Sequence, residues 1–424
     1  LWRLAGRDLR QEVDLRSLDP YYTIRFDDGE TFEYSGNLQR MRAEVARFSP
    51  SDAAGFERFL ALSRKICSVG FEQLGHQPFD NWRDMLRVLP ALVRLQSYRS
   101  VYGLVSRYLR DPRLRVVFSF HPLLVGGNPF STTAVYSLIT DLERRWGVHY
   151  PIGGTGQLVQ GLVSIVRQFG GTILFNREVA EVVVRDKTAT GVRLQGGEVI
   201  TADLVVSNAD ADWTYRKLVP AVHRKRWTDR RLDRSRSSMS LFVWYFGTDK
   251  QFPELPHHSI LLGPRYRGLV HDIFNRKKLS EDCSLYLHRP TATDASLAPD
   301  GCDTFYVLSP VPNLDGDTDW SSVAATYRDR ILQRLQETVL PGLAPHIVAS
   351  KLMTPIDFRD RLLSSRGAAF AQEPVLTQSA WFRPHNRSED IRNLYLVGAG
   401  THPGAGLPGV LSSAKVLERL LQNA

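Results

Sequence analysis

Apolar and polar residues alternate along YYTIRFDDGETFEYSG (residues 21–36) on both sides of Asp28-Gly29. A two-residue period with a turn dipeptide at its centre predicts a β-hairpin. Helical spacing follows. Ser51 stands where it can cap DAAGFERFLALSRKI, and from Asn81 the stretch NWRDMLRVLPALVRLQSYRSVYGLVSRYLRDPRLR sets apolar residues three and four apart. Pro90 and Pro112 are expected to break or kink that region.

Residues 151–210 carry the most regular pattern. GGTGQLVQGLVSIVRQFGG reads as a helix stopped by Gly170-Gly171, and TILFNREVAEVVVRD as a strand. A turn at Thr190-Gly191, a Gly196-Gly197 hairpin and the strand ADLVVSNAD complete the segment. The last of these ends in small polar residues, Ser207 to Asp210, at its carboxyl end, which is the usual ligand edge of an open α/β sheet. Beyond Ser237, LFVWYFG, SLYLHRP and TFYVLSPVP return to alternation and predict a second sheet, against which the amphipathic YRDRILQRLQETVL is expected to pack.

Near the end stands NLYLVGAGTHPGAGLPGVLSSAK, with five glycines from Gly398 to Gly409. Leu394 to Val397 form a short apolar run suited to a buried strand, and Pro408 opens a helical pattern. A strand, a glycine turn and a helix present bare backbone N–H groups and the positive end of a helix dipole, which suits an anion or an electron-rich ring. An ordinary tight connection is the plainer alternative, made less economical by so many glycines.

Composition narrows the class. With 424 residues the chain is long enough for two or three domains. Its three cysteines are far apart, with no Cys-x-x-Cys and no paired histidine spacing, so neither a disulfide framework nor a zinc site is indicated, and His257-His258 is an isolated pair. There is no Walker loop, Gly-x-Ser-x-Gly or His-Glu-x-x-His, which sets hydrolase and metalloenzyme readings low. No apolar run is long enough to span a bilayer.

Net charge is +9, and between Arg83 and Arg115 eight arginines face two aspartates among Leu, Val, Tyr and Trp. That arrangement fits either a solvated helix face or a basic amphipathic surface lying on anionic lipid. A second cluster, HRKRWTDRRLDRSR (residues 223–236), carries no nucleic-acid motif and reads as a solvated helix or loop.

The C-terminal glycine string, FSFHPLLVGGNPFSTTAVYSLI (residues 118–139), PIGGTGQLVQGL, VVSNAD and PVLTQSAWFRPHNR together resemble the bacterial-type phytoene desaturases, over essentially the whole chain. That resemblance implies an α/β fold: a discontinuous Rossmann-like FAD-binding domain (residues 1–20, 151–215 and 386–424), a mixed-sheet substrate domain (21–50 and 216–385) and a helical, membrane-associated region (51–150). It implies FAD as cofactor and phytoene as substrate, taken to lycopene in four steps. A hydride passes to flavin N5 and a proton to a base or water, with quinone or oxygen as final acceptor and no nucleic acid as partner. Because the substrate is a hydrocarbon, an apolar tunnel and a cytoplasmic enzyme peripherally attached to the cell membrane are expected. One departure stands out. The family's opening Gly-x-Gly-x-x-Gly unit does not occur in this sequence, so the chain resembles a fragment lacking the first FAD-binding unit and is expected to bind FAD poorly.

By the same resemblance, Gly398, Ala399, Gly400, Thr401, Leu407, Pro408, Gly409 and Val410 wrap the flavin. Val179 lies near the adenine end, and Asn208 and Ala209 lie beside the cofactor. Asp84 and Arg87, three apart on one helix face, are either a surface ion pair or a base and its orienting partner. Another carotenoid desaturase or isomerase, an amine-oxidase-like flavoprotein, and a non-catalytic basic membrane-binding protein stand as alternative functions.

Overall fold

The computed structural model describes residues 1–422 and divides into two compact units, each built from three stretches of chain. The first comprises Leu1–Ala53, Leu142–Ile173 and Leu241–Thr354; the second comprises Ala54–Asp141, Leu174–Ser240 and Pro355–Ala424.

A seven-stranded sheet organises the first unit. Its spatial order is Ile347–Met353, Ser240–Thr248, Asp303–Val311, Leu285–His288, His258–Leu261, Tyr22–Arg25 and Thr31–Tyr34. The sheet is mixed, because His258–Leu261 runs parallel to Tyr22–Arg25 but antiparallel to Leu285–His288. The expected hairpin is present: Tyr22–Arg25 pairs with Thr31–Tyr34, and Gly29 supplies the positive φ (88°) of the turn. Burial alternates strictly along Asp303–Val311, with Asp303 and Ser309 among the buried positions. Helix Trp320–Thr338 buries Trp320, Tyr327, Ile331 and Leu335, and its rings at Trp320 and Tyr327 meet Phe242 of the sheet at 5.8 and 5.1 Å. That is the packing its amphipathic pattern predicts.

In the second unit the parallel pair Val205–Ser207 and Leu394–Leu396 lies beside a three-stranded antiparallel sheet, Val179–Arg185, Thr188–Leu194 and Val199–Thr201. Tyr215, Trp227, Leu232, Ile391, Leu394 and Leu396 belong to the core that joins them. The first hairpin turns at Asp186-Lys187, both at positive φ, and not at Thr190-Gly191. Gly191 instead lies inside the strand, where a Cβ would meet Ile200 O at 2.1 Å, so its glycine serves strand contact and not a turn.

Three other local expectations change. Ser51 sits within a 3-10 turn, Pro50–Asp52, and bonds Ser49 at 3.1 Å instead of capping the following helix. Pro90 lies inside the helix Trp82–Arg94, whereas Pro112 opens the helix Pro112–Val117 behind an Asp111 cap. The basic segment 223–236 is only partly solvated. Trp227 is buried, the Asp390 carboxylate accepts the backbone N–H groups of Lys225 and Arg226, and Arg224 pairs with Asp229 at 2.7 Å. Among the described residues no helix is long and apolar enough to cross a membrane.

Candidate functional site

The parallel strands Val205–Ser207 and Leu394–Leu396 end side by side, and each runs into a turn. After Ser207 the chain passes Asn208 and Ala209 to Asp210, whose carboxylate caps Ala211–Trp213 by accepting the Trp213 N–H at 3.0 Å. Burial pushes the Asp210 carboxyl up to about 6. After Leu396 the glycine turn leads to the helix Leu407–Gln422, with Pro408 in its first turn.

Close backbone approach explains three of the glycines. A Cβ on Gly398, at φ 101°, would lie 2.7 Å from Asn208 Oδ1; one on Gly400 would lie 2.7 Å from the Ala211 Cβ; one on Gly409 would lie 2.5 Å from Gly404 O. At Gly398 and Gly400 the glycine main chain of one turn lies against the Asn208 and Ala211 side chains of the other, and at Gly409 the turn closes on its own Gly404 carbonyl, separations that leave no room for a Cβ.

Side chains outside the turn fix its shape. The fully buried Arg383 guanidinium donates to Gln378 O at 2.8 Å, Ala399 O at 3.0 Å, Thr401 O at 3.1 Å and Gln372 O at 3.3 Å. Among the described residues it has no carboxylate partner, and desolvation lowers its pKa. The Asn386 amide donates to Leu396 O at 3.1 Å and Thr401 Oγ1 at 3.2 Å, and Ser413 Oγ accepts the Gly398 N–H at 2.8 Å. None of Arg383, Asn386 and Ser413 was singled out from sequence. An arginine in the uncharged run before PHN was the one available signal.

Once the turn is braced, the N–H groups of Ala399, Gly400, Leu407 and Gly409 have no hydrogen-bond partner among the described residues. Free donors, glycine backbone and a helix N-terminus form a cradle of the kind that suits an anionic or electron-rich group, so the residues present fit the flavin end of FAD.

The remaining expected site residues lie elsewhere in the structure. Val179 begins the strand Val179–Arg185, opposite Leu194. Asp84 and Arg87 are on the helix Trp82–Arg94, 3.4 Å apart, with side chains 33% and 80% exposed. That helix has no buried residue, and Trp82, Leu86, Leu89 and Val93 form an apolar stripe along its exposed surface, beside Arg83, Arg87 and Arg94.

Comparison with known proteins shows the family of the chain. Residues 1–416 match the family described as flavin containing amine oxidoreductase. The neurosporene-forming phytoene desaturase of Cereibacter sphaeroides is 48% identical over 429 residues, covering 100% of this chain and 83% of the relative. The lycopene-forming phytoene desaturase of Pseudescherichia vulneris is 49% identical over 424 residues, covering 99% of this chain and 86% of the relative. Among solved structures, wild-type putrescine oxidase bound to putrescine has the same fold, with a TM-score of 0.60 at 12% identity over 99% of this chain and 84% of the other. The chain belongs to the flavin-containing amine oxidoreductase family and, within it, to the bacterial phytoene desaturases.

Proposed function

We propose that this protein is an FAD-dependent desaturase that takes phytoene to lycopene at a membrane surface. The observation that carries the reading is the braced glycine turn at 398–410 with its unpartnered N–H groups, found in a chain almost half identical to desaturases that act on phytoene. FAD, when bound, supplies the hydride acceptor. The chain's own contribution at that end is binding and orientation: Gly398, Ala399, Gly400, Thr401, Leu407, Pro408, Gly409 and Val410 hold the flavin, while Asn208, Ala209 and Val179 lie along the rest of the cofactor.

Each desaturation also releases a proton from the carbon next to the one that loses hydride. Asp84 is proposed to accept it, with Arg87 holding the carboxylate charged and aimed. What supports this is their ion-pair spacing on the amphipathic helix Trp82–Arg94. The same helix is the proposed membrane contact. Its exposed Trp82, Leu86, Leu89 and Val93 with flanking arginines form an interfacial surface through which a lipid-dissolved hydrocarbon can be reached.

The test supplies the protein with FAD and liposomes loaded with phytoene, under quinone or oxygen as acceptor, and identifies the coloured product. Lycopene supports the proposal. Neurosporene as end product would shorten the reaction to fewer steps, and an unchanged phytoene pool with FAD bound would overturn it.

A further inference from the structure

His257 and His258 are adjacent in sequence, and strand pairing in the first unit brings a third histidine to them. His258 is the direct partner of His288 across the antiparallel strands His258–Leu261 and Leu285–His288. One ring nitrogen from each of the three lies within 4.8 Å of the others. His257 and His288 are buried and His258 is partly exposed. Tyr150 packs against the His257 ring at 4.6 Å, and Tyr306 against the His288 ring at 4.6 Å.

The hydrogen bonds around the cluster favour lone pairs pointing inward. His257 Nδ1 is 2.6 Å from Thr293 Oγ1, and His258 Nδ1 is 2.6 Å from the Tyr286 hydroxyl. Both hydroxyl oxygens can accept the Nδ1 proton, which leaves Nε2 of each ring as the free ligand atom. His257 Nε2 then faces His288 Nε2 at 2.8 Å. Two such nitrogens coexist only with a proton or a cation between them. If His288 donates the proton, its own Nδ1 becomes a bare acceptor, and that atom is buried with no hydrogen-bond partner among the described residues. The 2.8 Å contact between the two Nε2 atoms is met by a shared proton or by a shared cation, and His288 Nδ1 has no partner among the described residues in either case.

We propose that His257, His258 and His288 bind one divalent transition-metal ion, Zn²⁺ by preference, through three imidazoles, with a fourth position left for water. His257 and His288 are buried, which favours the neutral, ligating form of the imidazole. Neutral imidazole suits Zn²⁺ among the common divalent ions, and three ligands of this kind leave one tetrahedral position open. Two Zn–N bonds of ~2.0–2.1 Å at a tetrahedral angle separate their nitrogens by roughly 3.3 Å, about half an ångström more than the present His257–His288 spacing. The Thr293 and Tyr286 hydroxyls supply the outer hydrogen bonds that orient ligating histidines. Such an ion ties the segment before one strand to the end of its neighbour.

The test is a Co²⁺ titration of the full chain after chelator treatment, followed by displacement with Zn²⁺. One equivalent should bind with the intense visible absorption of a tetrahedral site, and Zn²⁺ should remove it. His258→Gln and His288→Gln should each weaken Co²⁺ binding by at least ~100-fold, and Thr293→Val by ~10–100-fold, the range for loss of an outer partner. Circular dichroism checks each variant's fold. Should His288→Gln fail to fold, the partly exposed His258 position decides alone. Absence of one-equivalent binding, or binding by folded His258→Gln within threefold of the parent, overturns the proposal.

Discussion

Gly398 and Asn208 meet where the two parallel strands end: a Cβ on the glycine would sit 2.7 Å from the asparagine Oδ1, at a φ of 101°. Gly398→Ala therefore carries both a steric and a backbone penalty, expected to total about 2–3 kcal/mol in denaturant unfolding. Asn208→Ala in the same chain should recover the steric part and leave about 1 kcal/mol. A double-mutant cycle measures this, and additivity within ~0.5 kcal/mol would mean that the turns do not press on each other.

Arg383 holds four carbonyls with one planar fork and no carboxylate partner among the described residues. Arg383→Leu strands those oxygens in the interior and should cost about 3–5 kcal/mol of stability. Arg383→Lys keeps the charge but not the fork, so a folded protein with FAD affinity reduced about tenfold is expected, equivalent to ~1.4 kcal/mol. Thermal melts and FAD titrations, run in parallel, separate loss of fold from loss of the cradle.

Leu86 and Leu89 are exposed, so Leu86→Ser and Leu89→Ser should change stability by no more than about 0.5 kcal/mol. If the stripe docks on lipid, the pair should lower partition onto anionic vesicles at least tenfold, because each leucine loses up to ~1.5–3 kcal/mol of apolar burial. Neutralising Arg94, Arg99 and Arg107 should flatten the salt dependence, at about 1 kcal/mol per charge near the surface. Vesicle co-sedimentation at two salt concentrations reads both effects.

Asp84→Asn should slow anaerobic flavin reduction by liposomal phytoene by ~10²–10⁴ while leaving FAD binding intact. Arg87→Leu should act in the same direction. Rates within about threefold of the parent, in folded and FAD-saturated variants, would return the pair to an exposed ion pair worth ~0–1 kcal/mol.

Buried histidines make stability depend on pH in a defined direction. His402 is held neutral by burial, with its pKa at about 4, so the unfolded chain binds more protons than the folded one between the ordinary value of 6.5 and about 4. Stability should fall as pH drops through that window. Asp210 acts oppositely, because its carboxyl is raised from 3.8 to about 6, and its contribution is lost as pH rises through that interval. Asp210→Asn should therefore steepen the acid-side loss, as read from chemical denaturation at pH 4 to 7.

Much of the local structure was legible in the residues themselves. Alternation around Asp28-Gly29 specified the first hairpin, Gly170 closed its helix at a φ of 77°, and Pro408 opened the last helix behind an apolar strand, because each depends on neighbours a few residues away. The family strings pointed to the glycine turn for the same reason, since its sequence and its backbone conformation are one local fact.

Other features were decided by distant chain. Nothing near Thr190-Gly191 shows that the strand continues through it, with a register shift at Thr190; pairing with the neighbouring strands and the contact with Ile200 do. The basic run 223–236 looked solvated until Asp390 was placed against its backbone. Arg383 gained its role from carbonyls that fold around it, and His288 became the neighbour of His257 and His258 through the register of one antiparallel pair. Periodicity and turn chemistry are properties of short segments, so the sequence alone determined the elements. Burial, register and the sharing of polar partners are settled only when remote segments compete for the same interior space, and that decision belongs to the tertiary structure.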